Sequence, residues 1–152
     1  MAARSTTVHA SAVLVGARAV LIRGPSASGK SRLALDLIET GRAGALPFTR
    51  LVADDRAYLE PAGGRLLARP AKALAGLIEV RGVGLLRMVH EPSAVVGLVV
   101  DLAAADASRL PDAAQRTAEI EGILLPRLAV ASGEPALPNI LAFIKSPSDS
   151  WI

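Results

Sequence analysis

Cysteine is absent from the 152 residues. That removes disulfides, thiolate metal sites and cysteine nucleophiles, and it suits a reducing, cytoplasmic setting. Aromatic side chains are scarce at 3%, one Trp, one Tyr and two Phe. Four rings cannot supply the stacking platforms that hold single-stranded nucleic acid, so no nucleic-acid partner is expected. The core must instead be built from Val, Leu, Ile and Ala. Long apolar runs are missing too. Beyond the N-terminal stretch, a charge-free apolar run such as roughly Pro92 to Val100 is too short to cross a bilayer, and no membrane partner is expected. The opening MAARSTTVHASAVLVGARAVLI is superficially leader-like, but His9, Gly16 and Arg18 break it and no small-residue cleavage pattern follows. Charge of one sign is not concentrated anywhere. The net charge is +3, and Arg18, Arg23, Arg32, Arg42, Arg50, Arg56, Arg65 and Arg69 are scattered, as on a solvated surface. A few of them are candidates for facing phosphate or an acidic partner. The length fits a single domain over 1–152.

Against these absences one stretch stands out, RGPSASGKSRL over 23–33. Ser11–Val15 and Ala19–Arg23 are short apolar runs around Gly16-Ala17-Arg18, the pattern of a β-hairpin with a buried second strand. Gly24-Pro25-Ser26-Ala27-Ser28-Gly29-Lys30-Ser31 follows directly. From Lys30 the period changes to helical, with Leu33, Ala34, Leu37 and Ile38 on one face and Gly41 as the expected stop. Strand, G-x-x-x-x-G-K-[ST] and helix together are the context of a phosphate-binding loop. The glycines let successive N–H groups turn inward, and the helix start adds its positive end. Lys30 would reach the phosphates, Ser31 would offer its hydroxyl to Mg²⁺, and Ser26 and Ser28 are further donors. The bland alternative is a Gly/Ser-rich turn at a helix start.

Acids come next. Leu51-Val52-Ala53 reads as a strand ending at Asp54-Asp55. A strand-end acid near such a loop can hold the metal while its neighbour accepts a proton; the alternative is an Asp pair that merely forms a turn. Ala57–Leu59 and Arg65–Ala68 flank Pro61-Ala62-Gly63-Gly64 as a second hairpin. Glu79 lies in the apolar strand Leu77–Val80, where a carboxylate is costly to bury unless paired or facing a metal. An exposed strand edge, or an ion pair with Arg81, would explain it equally. Arg81-Gly82-Val83-Gly84 turns the chain, and Val95–Val100 reads as a central strand ending at Asp101. Ala103–Asp112 reads as a surface connection. Leu124–Val130 is a last strand interrupted by Pro126, Asn139–Lys145 a short helix after Pro138, and Ser146–Ile152 a loose tail. His9, ahead of the first strand, and His90 carry little context of their own.

In order and spacing, His9, GPSASGKS, LVADD and IEVRGVGLL resemble the catalytic domain of HPr kinase/phosphorylase, the bacterial serine kinase of phosphotransferase-system carriers. The resemblance covers roughly Val8 to Met88. It implies an α/β fold: a P-loop domain of the HPr kinase/phosphoenolpyruvate carboxykinase type, a mixed β-sheet with flanking helices. It implies ATP and Mg²⁺ as cofactors, an HPr-like carrier as protein substrate, and a homo-oligomer, typically a hexamer. Carried over by position, Gly24–Ser31 is the nucleotide loop, Lys30 meets the phosphates, and Ser31 and Glu79 are metal ligands. Asp55 exchanges the proton of the carrier's serine, Asp54 supports the base or the metal, and His9 lies near the phosphates. The family's Arg-Pro-Gly-Arg-Asn type loop has only Leu125-Pro126-Arg127-Leu128 as a counterpart, and the chain reads as a short form without the family's additional N-terminal domain. Two rivals use the same loop: a small-molecule kinase, for which Gly63–Lys72 makes a short lid, and a non-catalytic ATP sensor, which has little need of Asp54, Asp55 and Glu79 together.

Overall fold

The computed structural model describes residues 7–146. Strands β1 (Thr7–Val15) and β2 (Arg18–Arg23) pair in register from Val15↔Arg18 to Ala10↔Arg23. Gly16, at φ +65°, opens the two-residue turn, a conformation glycine adopts without steric cost. β1 starts earlier than its apolar pattern suggests, so His9 lies inside the strand and not ahead of it. Helix α1 (Lys30–Arg42) buries Leu33, Ala34, Leu37 and Ile38, the face its period marks out. Gly41 does not stop it. The helix passes through Gly41 because β3 (Thr49–Ala53) lies so close that any Cβ there would overlap the Thr49 side chain.

After β3 come β4 (Arg56–Ala62) and β5 (Arg65–Pro70), a hairpin turned by Gly63-Gly64. A smaller two-stranded hairpin follows, β6 (Leu77–Val80) with β7 (Gly84–Arg87). The long β8 (Ala94–Leu102) is buried along most of its length and runs parallel to β2. β10 (Ile123–Val130) pairs with β9 (Thr117–Ile120) through its first half and with β8 through its second. Pro126 falls at the changeover and is exposed, so the lost N–H is tolerated. The sequence pattern leaves β9 unmarked because only Ala118 and Ile120 of its four residues turn inward. Helix α2 (Leu137–Ile144) takes Pro138 into its first turn, where a missing N–H costs nothing, and so starts earlier than expected. The expected C-terminal tail lies, from residue 147 onward, outside the described residues.

The pairings join β2 to β1, β1 to β4, β4 to β5, β5 to β8, and β8 back to β2. These five strands therefore close on themselves, and each has two faces to bury. One cluster draws on all five, with Ala10, Ala12, Ala19, Ala57, Ala68 and Ala94 around Leu21, Leu66 and Val99. Small side chains fit where facing strands approach closely. The opposite cluster is bulkier: Val13, Val15, Val20, Ile22, Leu98 and Val100 of the strands meet Leu33, Leu37 and Ile38 of α1 and Ile140 and Ile144 of α2. Both helices thus share one face, and the strands cover the other themselves. The fold is mixed α/β, with parallel and antiparallel pairings in one sheet.

Candidate active site

The glycine-rich loop leaves the C-terminal end of β2 and enters α1. Gly24 sits against β8: a Cβ there would lie 2.5 Å from Ser28 Oγ and 3.1 Å from Leu102 Cβ. Gly29, the residue before the helix, has φ +99°, and Ala27 has φ +64°. This backbone curls in a way L-residues seldom adopt, as expected of a cradle of amides. Lys30 reaches back across the curl, its Nζ donating to Gly24 O at 2.9 Å and Pro25 O at 3.0 Å. Ser28 Oγ is buried without a hydrogen-bond partner.

Asp54, at the end of β3, is only 4% exposed. A carboxylate is rarely so buried unless its oxygens are satisfied. Here Oδ1 accepts the hydroxyls of Ser31 and Ser11, each at 2.7 Å, and Oδ2 accepts the Glu79 N–H at 3.1 Å. Asp54 therefore ties α1, β1 and β6 together. It cannot be the mere turn-former the acid pair allowed. Asp55 faces the other way. At φ +67° its backbone is left-handed, and its side chain is 64% exposed, 3.9 Å from His9 Nδ1. His9, equally exposed, comes from the opposite strand.

These groups share one cleft of about 940 Å³, lined by His9, the loop from Gly24 to Pro25, Ser26, Ala27, Gly29, Lys30 and Ser31, then Asp55 and Glu79. Of the catalytic, nucleotide and metal candidates from the sequence, all meet there except Asp54, which lies beneath the floor, and Ser28, which is not on its lining; His90 does not line it either. The sequence did not point to Ser11, named Arg32 only among scattered arginines of which a few could face phosphate, and named Arg81 only as an ion-pair partner for Glu79. Arg32 and Arg81 line the cleft, adding cationic groups to its walls. Ser11 stands two residues after His9 on β1, hence on the same face, but one serine in an apolar strand shows no role until Asp54 is placed against it.

Among the described residues no three His, Asp or Glu gather into a ready-made metal cage. Mg²⁺ does not require one, since it keeps waters and takes substrate phosphates beside one or two protein ligands. A serine hydroxyl donating to a buried carboxylate, with Glu79 on the cleft wall, fits that sparse demand.

Arg127 is elsewhere. It sits within β10, not in a loop, and donates through Nε to Asp101 Oδ2 at 2.6 Å and through both terminal nitrogens to Asp106 at 2.7 and 2.9 Å. Arg23, the last residue of β2, donates twice to the same Asp101, at 2.7 and 2.9 Å. Burial works against the charge on Asp101, but the two guanidinium groups outweigh it and hold the carboxyl below its usual range. The hydrogen bonds to Asp106 lead in raising Arg127 further above the ordinary guanidinium value.

The family described as HPr Serine kinase C-terminal domain matches residues 1–131. An HPr kinase/phosphorylase of Streptococcus thermophilus is 32% identical over 139 residues, 84% of this chain and 43% of that protein. One from Clostridium beijerinckii is 38% identical over 84 residues, 55% of this chain and 26% of that protein. The chain thus spans less than half the length of these curated relatives. Among solved structures, the HPr(Ser) kinase/phosphatase of Coxiella burnetii superposes with a TM-score of 0.72 at 25% identity, covering 92% of this chain and 88% of that one. With sequence match and topology in agreement, the chain belongs to the HPr serine kinase C-terminal domain family.

Proposed function

We propose that the chain is a single catalytic domain that transfers the γ-phosphoryl group of ATP to a serine of an HPr-like carrier protein. The observation that carries this is the convergence of the curled loop, Lys30 and Asp55 on one cleft, with Asp54 bonded to Ser31 beneath it. Gly24–Ser31 is the phosphate loop of a P-loop domain of the phosphoenolpyruvate carboxykinase-related type. The turned-in backbone and the Ser26 side chain on the cleft lining suit phosphate oxygens. Lys30 leaves its carbonyl partners to meet the β- and γ-phosphates. Ser31 and Glu79 hold Mg²⁺, which neutralises charge on the phosphate oxygens. Asp55, exposed at the cleft mouth, accepts the proton of the carrier's serine as that oxygen attacks phosphorus; in reverse the same carboxyl returns it. His9 lies beside Asp55 at the cleft mouth, its Nδ1 3.9 Å from the carboxylate.

A protein acceptor suits the cleft better than a small molecule. The β6–β7 hairpin forms one wall, and its rim presents Val83 and Leu85, 65% and 64% exposed. Clustered exposed apolar side chains beside a site mark a surface for another protein. No described helix is long and apolar enough to cross a membrane. A cytoplasmic location and assembly into a homo-oligomer, a hexamer in the family pattern, complete the reading.

The test is incubation of the protein with labelled ATP, Mg²⁺ and a purified HPr-like carrier, with mass spectrometry to place any phosphoserine. Lys30→Ala should lower transfer by roughly 10²–10³-fold, the scale of removing one electrostatic stabiliser of the transferring group. Transfer by Lys30→Ala at the native rate would end the proposal.

A further inference from the structure

Two side chains of β1 meet the acid pair one against one. His9 and Ser11 are two residues apart, so both project from the same face of the strand. His9 approaches Asp55 and Ser11 contacts Asp54. The next residues on that face, Val13 and Val15, are apolar core. Ser11 is fully buried among them, and a buried hydroxyl is costly unless its hydrogen bonds are made.

The hydrogen bonds of Ser11 have a fixed direction. The Asp54 carboxylate only accepts, so the single Ser11 proton goes to Oδ1. The Ser11 oxygen in turn accepts the N–H of Asp55, at 3.5 Å. Asp54 Oδ1 receives the Ser31 proton as well. Two hydroxyls therefore share one carboxylate oxygen, and Glu79 N–H holds the other. With its proton committed to Asp54, Ser31 keeps its lone pairs for the cleft. The peptide between the acids, which must support a left-handed Asp55, is bonded to Ser11 on the Asp55 side and closes a turn from Arg56 N–H to Asp54 O at 2.7 Å.

We propose that Ser11 is a positioning residue for phosphoryl transfer: sharing Asp54 with Ser31, it sets the direction of the Ser31 hydroxyl and steadies the peptide that carries Asp55. This rests on the kinase reading of the cleft. Ser11 touches neither nucleotide nor acceptor; it acts through the two acids. A strand position that the fold would fill equally well with an apolar residue is thereby given to the site.

The experiment is a double-mutant cycle of Ser11→Ala and Asp54→Asn on the full chain. A fluorescent ATP analogue is bound with and without Mg²⁺, and transfer to the carrier is followed in parallel. Ser11→Ala should bind metal-free nucleotide like the native protein. It should lose roughly tenfold of the Mg²⁺-dependent gain in affinity, the scale of one hydrogen bond to a charged group. Turnover should fall by a similar or larger factor with the KM for the carrier unchanged. On the Asp54→Asn background the same change should add less than about twofold, because the route through Asp54 is already cut. Equal losses on both backgrounds, or an equal loss without Mg²⁺, would show packing alone and overturn the proposal. Should Ser11→Ala fail to fold, Ser11→Cys, near in size and a poor donor, makes the same distinction: native Mg²⁺ dependence in that variant overturns the proposal. Nucleotide binding needs no carrier. A native protein that binds Mg-ATP but transfers nothing refutes the kinase reading and leaves the Ser11 cycle interpretable.

Discussion

Two carboxylate clusters sit at strand ends in this protein, and they are built in opposite ways. At the end of β8, Asp101 is gripped by two guanidinium groups, and Arg127 carries the chain of ion pairs on to Asp106. Arg127 and Asp101 have side chains only 13% and 15% exposed. At the end of β3, Asp54 is satisfied by hydroxyls and an amide, and no cation approaches Asp55 more closely than His9 at 3.9 Å among the described residues. A carboxylate already holding two arginines has no reason to bind Mg²⁺ or take a proton. One held by neutral donors, next to an exposed partner, has no guanidinium already occupying it. The strand beside β2 therefore ends in an acid that braces the start of the loop, while the acid pair at the cleft arrives from β3, on the other side of β1.

That contrast breaks most sharply at Asp55. Asp55→Asn keeps shape and removes the proposed proton acceptor, so turnover should fall by roughly 10²–10⁴-fold. Its melting temperature should stay near the native one, because the side chain is exposed. A steady-state rate within a few-fold of native would make Asp55 another brace.

The arginine ladder should respond in the reverse sense. Arg127→Met should cost about 1.5–3 kcal/mol in urea melts, since it leaves Asp101 with one guanidinium in place of two, while transfer per folded molecule stays close to native. The ladder also has a pH signature. Because the folded state depresses the Asp101 carboxyl, its stabilisation is complete above the unfolded value, about 4, and is lost as pH falls through that value toward the folded one. The gap between native protein and Arg127→Met should therefore be wide at pH 6 and narrower at pH 3. A gap independent of pH would mean that Arg127 supports the fold by packing alone.

The smallest effect is expected at the rim. Val83→Ser should shift stability by less than about 0.5 kcal/mol, as for most exposed positions, and leave nucleotide affinity unchanged. A raised KM for the carrier, with turnover held, would place the acceptor against the β6–β7 hairpin. An unchanged KM would direct the search to another part of the cleft mouth.

Much of this is legible in the sequence because the signals are local. A glycine at a positive-φ turn, an apolar face repeating every 3.6 residues and a short continuous apolar run are short-range signals. They locate the first hairpin, α1, β3 and β8 to within a few residues. Gly41 looks like a helix stop in the sequence because its actual role, clearance for Thr49, depends on a neighbour eight residues away across a loop. Ser11 and β9 are unmarked for a related reason: one serine in an apolar strand and four weakly patterned residues carry no meaning until their partners are known.

By itself the sequence determined which residue types could do phosphate chemistry and that they come in one order: histidine, glycine-rich loop, acid pair, glutamate. Only the tertiary structure separated the acids. Asp101 and Asp54 look alike as strand-terminal aspartates, and what distinguishes them is an Arg23 contact 78 residues distant in one case and a serine 43 residues distant in the other. The charge environment of a carboxylate is a sum over neighbours in space, and strand order, which local sequence does not encode, chooses those neighbours.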